Sequence, residues 1–141
     1  MALLTARDLV KSYGGRRVVD GVGFDVAAGE IVGLLGRNGA GKTTSFRMAI
    51  GMISPERGRV LFRGDDVTHL PMYRHALAGM GYLSQEPSVF QRLTVEQNLQ
   101  AILETVGLSR LARRQRAAEL LEQFGLVHKA REPARTCSGG E

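Results

Sequence analysis

An α/β fold follows from three features of the sequence. Residues 36–44, Gly-Arg-Asn-Gly-Ala-Gly-Lys-Thr-Thr, fit the pattern G-x-x-x-x-G-K-[ST]. That pattern stands between an apolar run at 30–35 and a helical stretch at 42–50, the strand–loop–helix order a phosphate-cradling loop requires. Strand-like segments precede and surround the loop, whereas the chain after Gln85 patterns as helix. The division predicts a mixed α/β lobe over residues 1–84 and a helical subdomain over 85–141.

The elements follow in order. Residues 3–10 alternate loosely and read as a strand, with Leu4, Leu9 and Val10 as buried candidates. Tyr13-Gly14-Gly15 is a turn, and 17–20 and 22–26 are short β segments. Residues 27–30 turn into Glu30-Ile31-Val32-Gly33-Leu34-Leu35, apolar at nearly every position and read as a buried strand. A loop with Pro55 follows the first helix, then a strand at 59–63 and a turn at 64–67. Pro71 stands where a first helical residue would, so 72–78 is a short helix, and 79–83 is a second buried strand. Thr94-Val95-Glu96-Gln97 fits a capping box. Leu99, Ile102, Leu103 and Val106, then Ala117, Leu120, Leu121 and Phe124, fall at helical spacing and read as core between two helices separated by Gly107-Leu108-Ser109.

The chemistry concentrates in residues 36–44. Successive backbone N–H groups in such a loop converge on one concavity and meet the oxygens of a nucleotide's phosphates. Gly36, Gly39 and Gly41 let the chain curl, and the helix that follows adds unpaired N–H groups and the positive end of its dipole. Lys42 supplies a mobile charge, and the Thr43 hydroxyl suits Mg²⁺. Arg37, Asn38, Ala40 and Thr44 complete the loop. Tyr13 is either half-buried packing or an adenine platform, because its ring precedes a hairpin that feeds the loop. Ser138-Gly139-Gly140-Glu141 is either a linker turn or a second anion-binding arrangement. Asp65 and Asp66 lie in a surface turn, and His69, His75 and His128 share no ligand spacing.

Composition narrows the setting. The chain has 141 residues, 43% hydrophobic and 23% charged, in the range of a folded water-soluble domain. It shows neither a membrane-length apolar run nor a signal-peptide start, and its one cysteine, Cys137, suits a reducing compartment, so a cytoplasmic location is expected. The net charge of +5 comes from scattered arginines. The densest group, Arg110, Arg113, Arg114 and Arg116, has no aromatic neighbour for base stacking, so no nucleic-acid partner is expected.

Taken together, Tyr13, the loop at 36–44, Gln85 after a strand, and Cys137-Ser138-Gly139-Gly140-Glu141 resemble the nucleotide-binding domain of ABC transporters. That resemblance implies a P-loop NTPase fold with a β lobe, a RecA-like core and a helical subdomain. It implies ATP and Mg²⁺ as cofactors, with Tyr13 stacking on adenine. Gln85 heads the Q-loop, which touches Mg²⁺ or the attacking water. Ser138, Gly139, Gly140 and Glu141 form the signature motif facing ATP on a second ATPase subunit, with Cys137 where Leu is usual and Glu141 where Gln is common. Partners would be a second ATPase copy and two transmembrane permease subunits, and the protein would lie against the cytoplasmic face of the inner membrane.

A narrower resemblance runs through residues 15–19, 29–36, 81–90, 98–104 and 116–124, which are similar to the ATPases of lipopolysaccharide-export ABC transporters. In that group the stretch after the Q-loop receives the permeases, so Phe90 is either a permease contact or a core plug. Arg37 departs from the usual Pro and is seen in branched-chain amino-acid importers, the nearest alternative; a soluble ABC ATPase acting on ribosomes or DNA is another. The Asp that holds Mg²⁺, the general-base Glu and the γ-phosphate-sensing His of the family have no counterpart in these 141 residues. The expectation is an N-terminal portion truncated at the signature motif. It would have no catalytic residue of its own, would grip nucleotide without efficient turnover, and would fold poorly alone.

Overall fold

The computed structural model describes residues 1–84, 86 and 88–137. They fall into two compact units, Met1–Tyr82 and Leu83–Glu141.

The first unit is built on a four-stranded antiparallel sheet of β1 (Ala2–Tyr13), β2 (Arg16–Ala27), β3 (Arg57–Phe62) and β4 (Asp65–Asp66), in the order β2-β1-β3-β4. The two short segments expected at 17–20 and 22–26 are one strand, β2, which runs through Gly21. Tyr13 pairs with Arg16 across a two-residue loop whose Gly14 and Gly15 both have positive φ, 55° and 77°. That backbone matches the twist of a tight hairpin, and two glycines adopt it without penalty.

β1 shifts register between Ala6 and Leu9 against β2, and between Arg7 and Val10 against β3. At this bulge Asp8 has φ 49°. The opposing Gly58 has φ 97°, and a Cβ there would stand 2.5 Å from the carbonyl oxygens of both Arg7 and Asp8. Only glycine lets β3 approach the bulge this closely.

Helices α1 (Lys42–Ala49) and α2 (Met72–Leu77) belong to the same unit. Met48 of α1 packs with Ala6, Leu9, Val19, Val60, Phe62 and Val67 into one core, against which Leu4 packs partly buried. The ring of His75 in α2 is buried in this unit, with Nε2 3.0 Å from the Val67 carbonyl. A carbonyl only accepts, so Nε2 carries the hydrogen. Nδ1 has no partner among the described residues. Gly51, φ 76°, makes room for the ring: a Cβ there would be 2.5 Å from Nε2.

Two expected strands do not form. Residues 30–35 and 79–83 carry no strand assignment, and Ile31, Leu35 and Leu83 are 98%, 94% and 92% exposed. A strand is defined by the backbone it bonds to, and among the described residues none pairs with either segment. Part of the second segment is anchored nonetheless: Met80 packs against the core, and the Tyr82 ring lies 5.9 Å from that of Phe46 on α1, tilted by 45°.

The second unit holds α3 (Val95–Leu103) and α4 (Arg110–Gln123). The capping box forms as expected: the Thr94 hydroxyl accepts from the Gln97 N–H at 3.1 Å, and the Gln97 side chain accepts from the Thr94 N–H at 2.8 Å. Ser109 caps α4 by accepting from the Ala112 N–H at 3.2 Å. Of the two apolar faces, Leu103, Ala117 and Leu121 are buried, but Ile102, Val106 and Phe124 are exposed. Helical spacing aligns these residues on a face; whether that face is covered depends on what lies opposite, and two helices cover only a narrow seam.

Candidate functional site: a glycine-bent loop at a helix N-terminus

The turn that links the apolar segment to α1 gathers the predicted loop residues in one place. The Ala40 N–H donates to the Arg37 carbonyl at 3.1 Å, closing a tight turn over Asn38 and Gly39, where φ of Gly39 is 81°. Gly41, φ 86° and ψ 8°, is the N-cap of α1, and no side chain caps the helix. The N–H groups of the first turn therefore have no partner from a capping side chain, and the first turn holds no acidic residue to compete for them. The intrahelical ladder begins with the Ser45 N–H donating to the Gly41 carbonyl at 2.8 Å.

Lys42 folds back over its own loop. Its ammonium donates to the Arg37 carbonyl at 2.9 Å and to the Gly36 carbonyl. A Cβ on Gly36 would stand 3.3 Å from the Ala40 methyl, so a side chain there would crowd the turn by a few tenths of an ångström. Thr43 is exposed, and Thr44 is half-buried.

Gly41 meets a second constraint, from β2. A Cβ at 41 would lie 2.5 Å from the Val18 carbonyl and 3.0 Å from Val19 Cγ2. The hairpin strand thus presses on the loop at the start of α1. Val18 is two residues, about 7 Å of strand, beyond Arg16, the partner of Tyr13. Tyr13 is 51% exposed, with the Lys11 ammonium 5.8 Å from its ring centre, so its ring is available on the hairpin that touches the loop.

The donor set fits a triphosphate with a magnesium ion. Mg²⁺ keeps most of its shell as water and phosphate oxygen and takes one or two protein oxygens, a demand one exposed hydroxyl on Thr43 can meet. Among the described residues no cluster of three His, Cys, Asp or Glu could hold a metal by itself. Asp66 is already engaged: it accepts from the Thr68 hydroxyl and from the Thr68 N–H at 3.0 Å, which hold its carboxyl below the usual range.

Gln85 and Ser138, Gly139, Gly140 and Glu141 lie outside the described residues. Phe90 is 63% exposed in the loop before α3 and does not plug the core of its unit. The basic cluster on α4 is partly neutralised, by Arg113 with Glu104 at 3.5 Å and Arg116 with Glu119 at 3.0 Å. Among the described residues no helix is long and apolar enough to cross a membrane.

Sequence reasoning missed two residues around these sites. Val18, whose carbonyl fixes Gly41, carries no signal of its own, because the contact depends on how the hairpin folds over the loop. Asn98 bonds the backbone around Phe90 four times. Its signal was its position four residues after the helix cap, close enough to turn back on the preceding loop.

Comparison with known proteins places this loop in context. The chain is 47% identical to the lipopolysaccharide export system ATP-binding protein LptB of Haemophilus influenzae and 48% identical to LptB of Escherichia coli K12, covering 100% of this chain and 59% of each relative. It is 50% identical to a probable ABC transporter ATP-binding protein of Azorhizobium caulinodans, over 98% of the chain and 49% of that relative. The chain thus spans about half to three-fifths of the length of these curated relatives. Among solved structures, the ADP conformation of an ATP-binding cassette from an ABC transporter matches with a TM-score of 0.85 at 27% identity, over 99% of this chain and 60% of that one. The cbiO1 protein of Clostridium perfringens, part of an ABC transporter complex, matches with a TM-score of 0.84 at 25% identity, over 99% and 57%. With residues 19–141 matching the ABC transporter family, the chain belongs to that family.

Proposed function

We propose that the protein of which these residues form part is the ATP-binding, energy-coupling subunit of an ABC transporter that exports lipopolysaccharide from the inner membrane. The observation that carries the nucleotide role is the Gly41-capped start of α1, with Lys42 folded over the loop and no acidic residue in the first turn. Extended similarity to LptB proteins supports the choice of cargo.

Backbone N–H groups of residues 39–44 and the Lys42 ammonium hold the phosphates of ATP. Mg²⁺, when bound, neutralises phosphate charge as the γ-phosphoryl group departs. Thr43 and Gln85 orient that ion, and Tyr13 offers its ring to adenine. Ser138, Gly139, Gly140 and Glu141 face the nucleotide of a second ATPase subunit, so that two copies close on two nucleotides. Phe90 docks against one of two transmembrane subunits, on the cytoplasmic face of the membrane. Residues 1–84 act as the β lobe and first part of the nucleotide core, and 85–141 as the helical subdomain. Closure with ATP bound and opening after hydrolysis favour different permease conformations in turn, which is how binding energy becomes transport.

Arg37 favours a second reading, the ATPase of a branched-chain amino-acid importer. Which permeases co-purify with the full-length protein separates the two. The nucleotide role is tested by calorimetry with Mg-ATP on full-length Lys42→Ala. Affinity should fall by at least about tenfold, as expected when a charge-assisted phosphate contact is lost. Wild-type affinity and ATPase rate would refute the assignment.

A further inference from the structure

Asn98 sits in the first turn of α3, directly after its capping box. Its side chain is turned back on the loop at 90–94. Oδ1 accepts from the Phe90 N–H at 2.8 Å. Nδ2 donates to the carbonyls of Phe90 at 3.1 Å, Thr94 at 3.0 Å and Leu93 at 3.4 Å. The Phe90 N–H can only donate, which fixes which end of the amide faces it. Both backbone groups of Phe90 are therefore held by one side chain, as a neighbouring strand would hold them. The helix needs none of this for its own start, since Thr94 and Gln97 already cap it.

The other side of the same loop is bonded to the end of the described chain. The Ala134 N–H donates to the Leu93 carbonyl at 2.9 Å, and the Arg135 N–H to the Gln91 carbonyl at 3.3 Å. The first N–H groups of α3, from Val95 and Glu96, donate to the carbonyls of Glu132 and Ala130, each at 3.0 Å. The Phe90 loop is thus bonded on one side by Asn98 and on the other by the segment that leads into Cys137.

We infer that Asn98 is a positioning residue: it holds Phe90 in its exposed pose for docking and locks the docking loop to the 130–137 segment. The inference rests on the proposed docking role of Phe90.

The test uses the full-length protein. Hydrogen exchange is measured on the isolated subunit, and complex recovery is measured after co-expression with the two transmembrane subunits, one of them tagged. Asn98→Ala should speed amide exchange in residues 88–94 and 130–137 by at least about tenfold while leaving α4 unchanged. It should also lower recovery of the complex by at least about fivefold, as Phe90→Ala should if Phe90 docks. If Asn98→Ala does not fold, Asn98→Asp serves instead: it keeps the acceptor for the Phe90 N–H and removes both donor hydrogens that the three carbonyls share. Wild-type complex recovery from either Asn98 variant, with Phe90→Ala impaired, would overturn the inference. So would exchange that rises equally through α4, the mark of a merely structural residue. Normal recovery from Phe90→Ala would instead overturn the docking reading, and the role given to Asn98 with it.

Discussion

The antiparallel sheet and the two apolar segments at 30–35 and 79–83 have similar sequences and opposite fates. In the sheet, Ala6, Leu9 and Val60 are wholly buried, and their strands exchange backbone hydrogen bonds. In the segments, Ile31, Leu35 and Leu83 face outward and no strand partners them among the described residues. Apolar composition expresses a demand for cover on both faces, the mark of a strand meant for the middle of a sheet. Whether that demand is met depends on finding a partner strand. The hairpin strands meet theirs across a two-residue loop; the other segments have no such local neighbour.

The largest test of that contrast replaces Leu9 and Ile31 with alanine. Leu9→Ala removes a fully buried side chain and should cost about 2–5 kcal/mol in denaturant unfolding. Ile31→Ala touches nothing buried and should stay within about 0.5 kcal/mol. Equal effects would mean that residue 31 is covered after all. Next, Gly58→Ala forces a left-handed residue against two carbonyls and should cost about 1–3 kcal/mol, with loss of β1–β3 amide protection. Thr94→Ala breaks the cap of α3 in the other unit and should cost about 0.5–2 kcal/mol, read from helix-unit exchange. The sheet's protection should be unaffected.

Acid should produce the smallest effect. The carboxyl of Asp66 is held low by the Thr68 hydroxyl and then its N–H, and that of Asp25 by Arg7, 2.7 Å away. Groups whose folded values are depressed stabilise above the ordinary Asp range, near pH 4, and lose that contribution as pH falls through the lower folded value. The melting temperature of the sheet should therefore decline below about pH 4. Asp66→Asn should flatten part of the decline.

Legibility followed the reach of each signal. The loop at 36–44 was readable because its chemistry is written in consecutive residues. The Gly14-Gly15 turn and the Thr94–Gln97 box were readable for the same reason. Gly58 carries no local signal, because its requirement comes from a bulge some fifty residues earlier in the chain. Residues 30–35 mislead because apolarity signals a demand for cover and not a partner strand. Ile102, Val106 and Phe124 mislead because periodicity aligns a face without covering it. Asn98 escaped because an asparagine inside a helix usually bonds its own turn, and this one bonds the loop outside it as well.

The doubled grip of Lys42 on the Gly36 and Arg37 carbonyls has a thermodynamic corollary. A loop that is already cross-braced by its own cation has surrendered its conformational freedom before any ligand arrives. If the loop receives a polyanion as proposed, capture would exchange one oxygen partner of Lys42 for another, with less ordering left to oppose it.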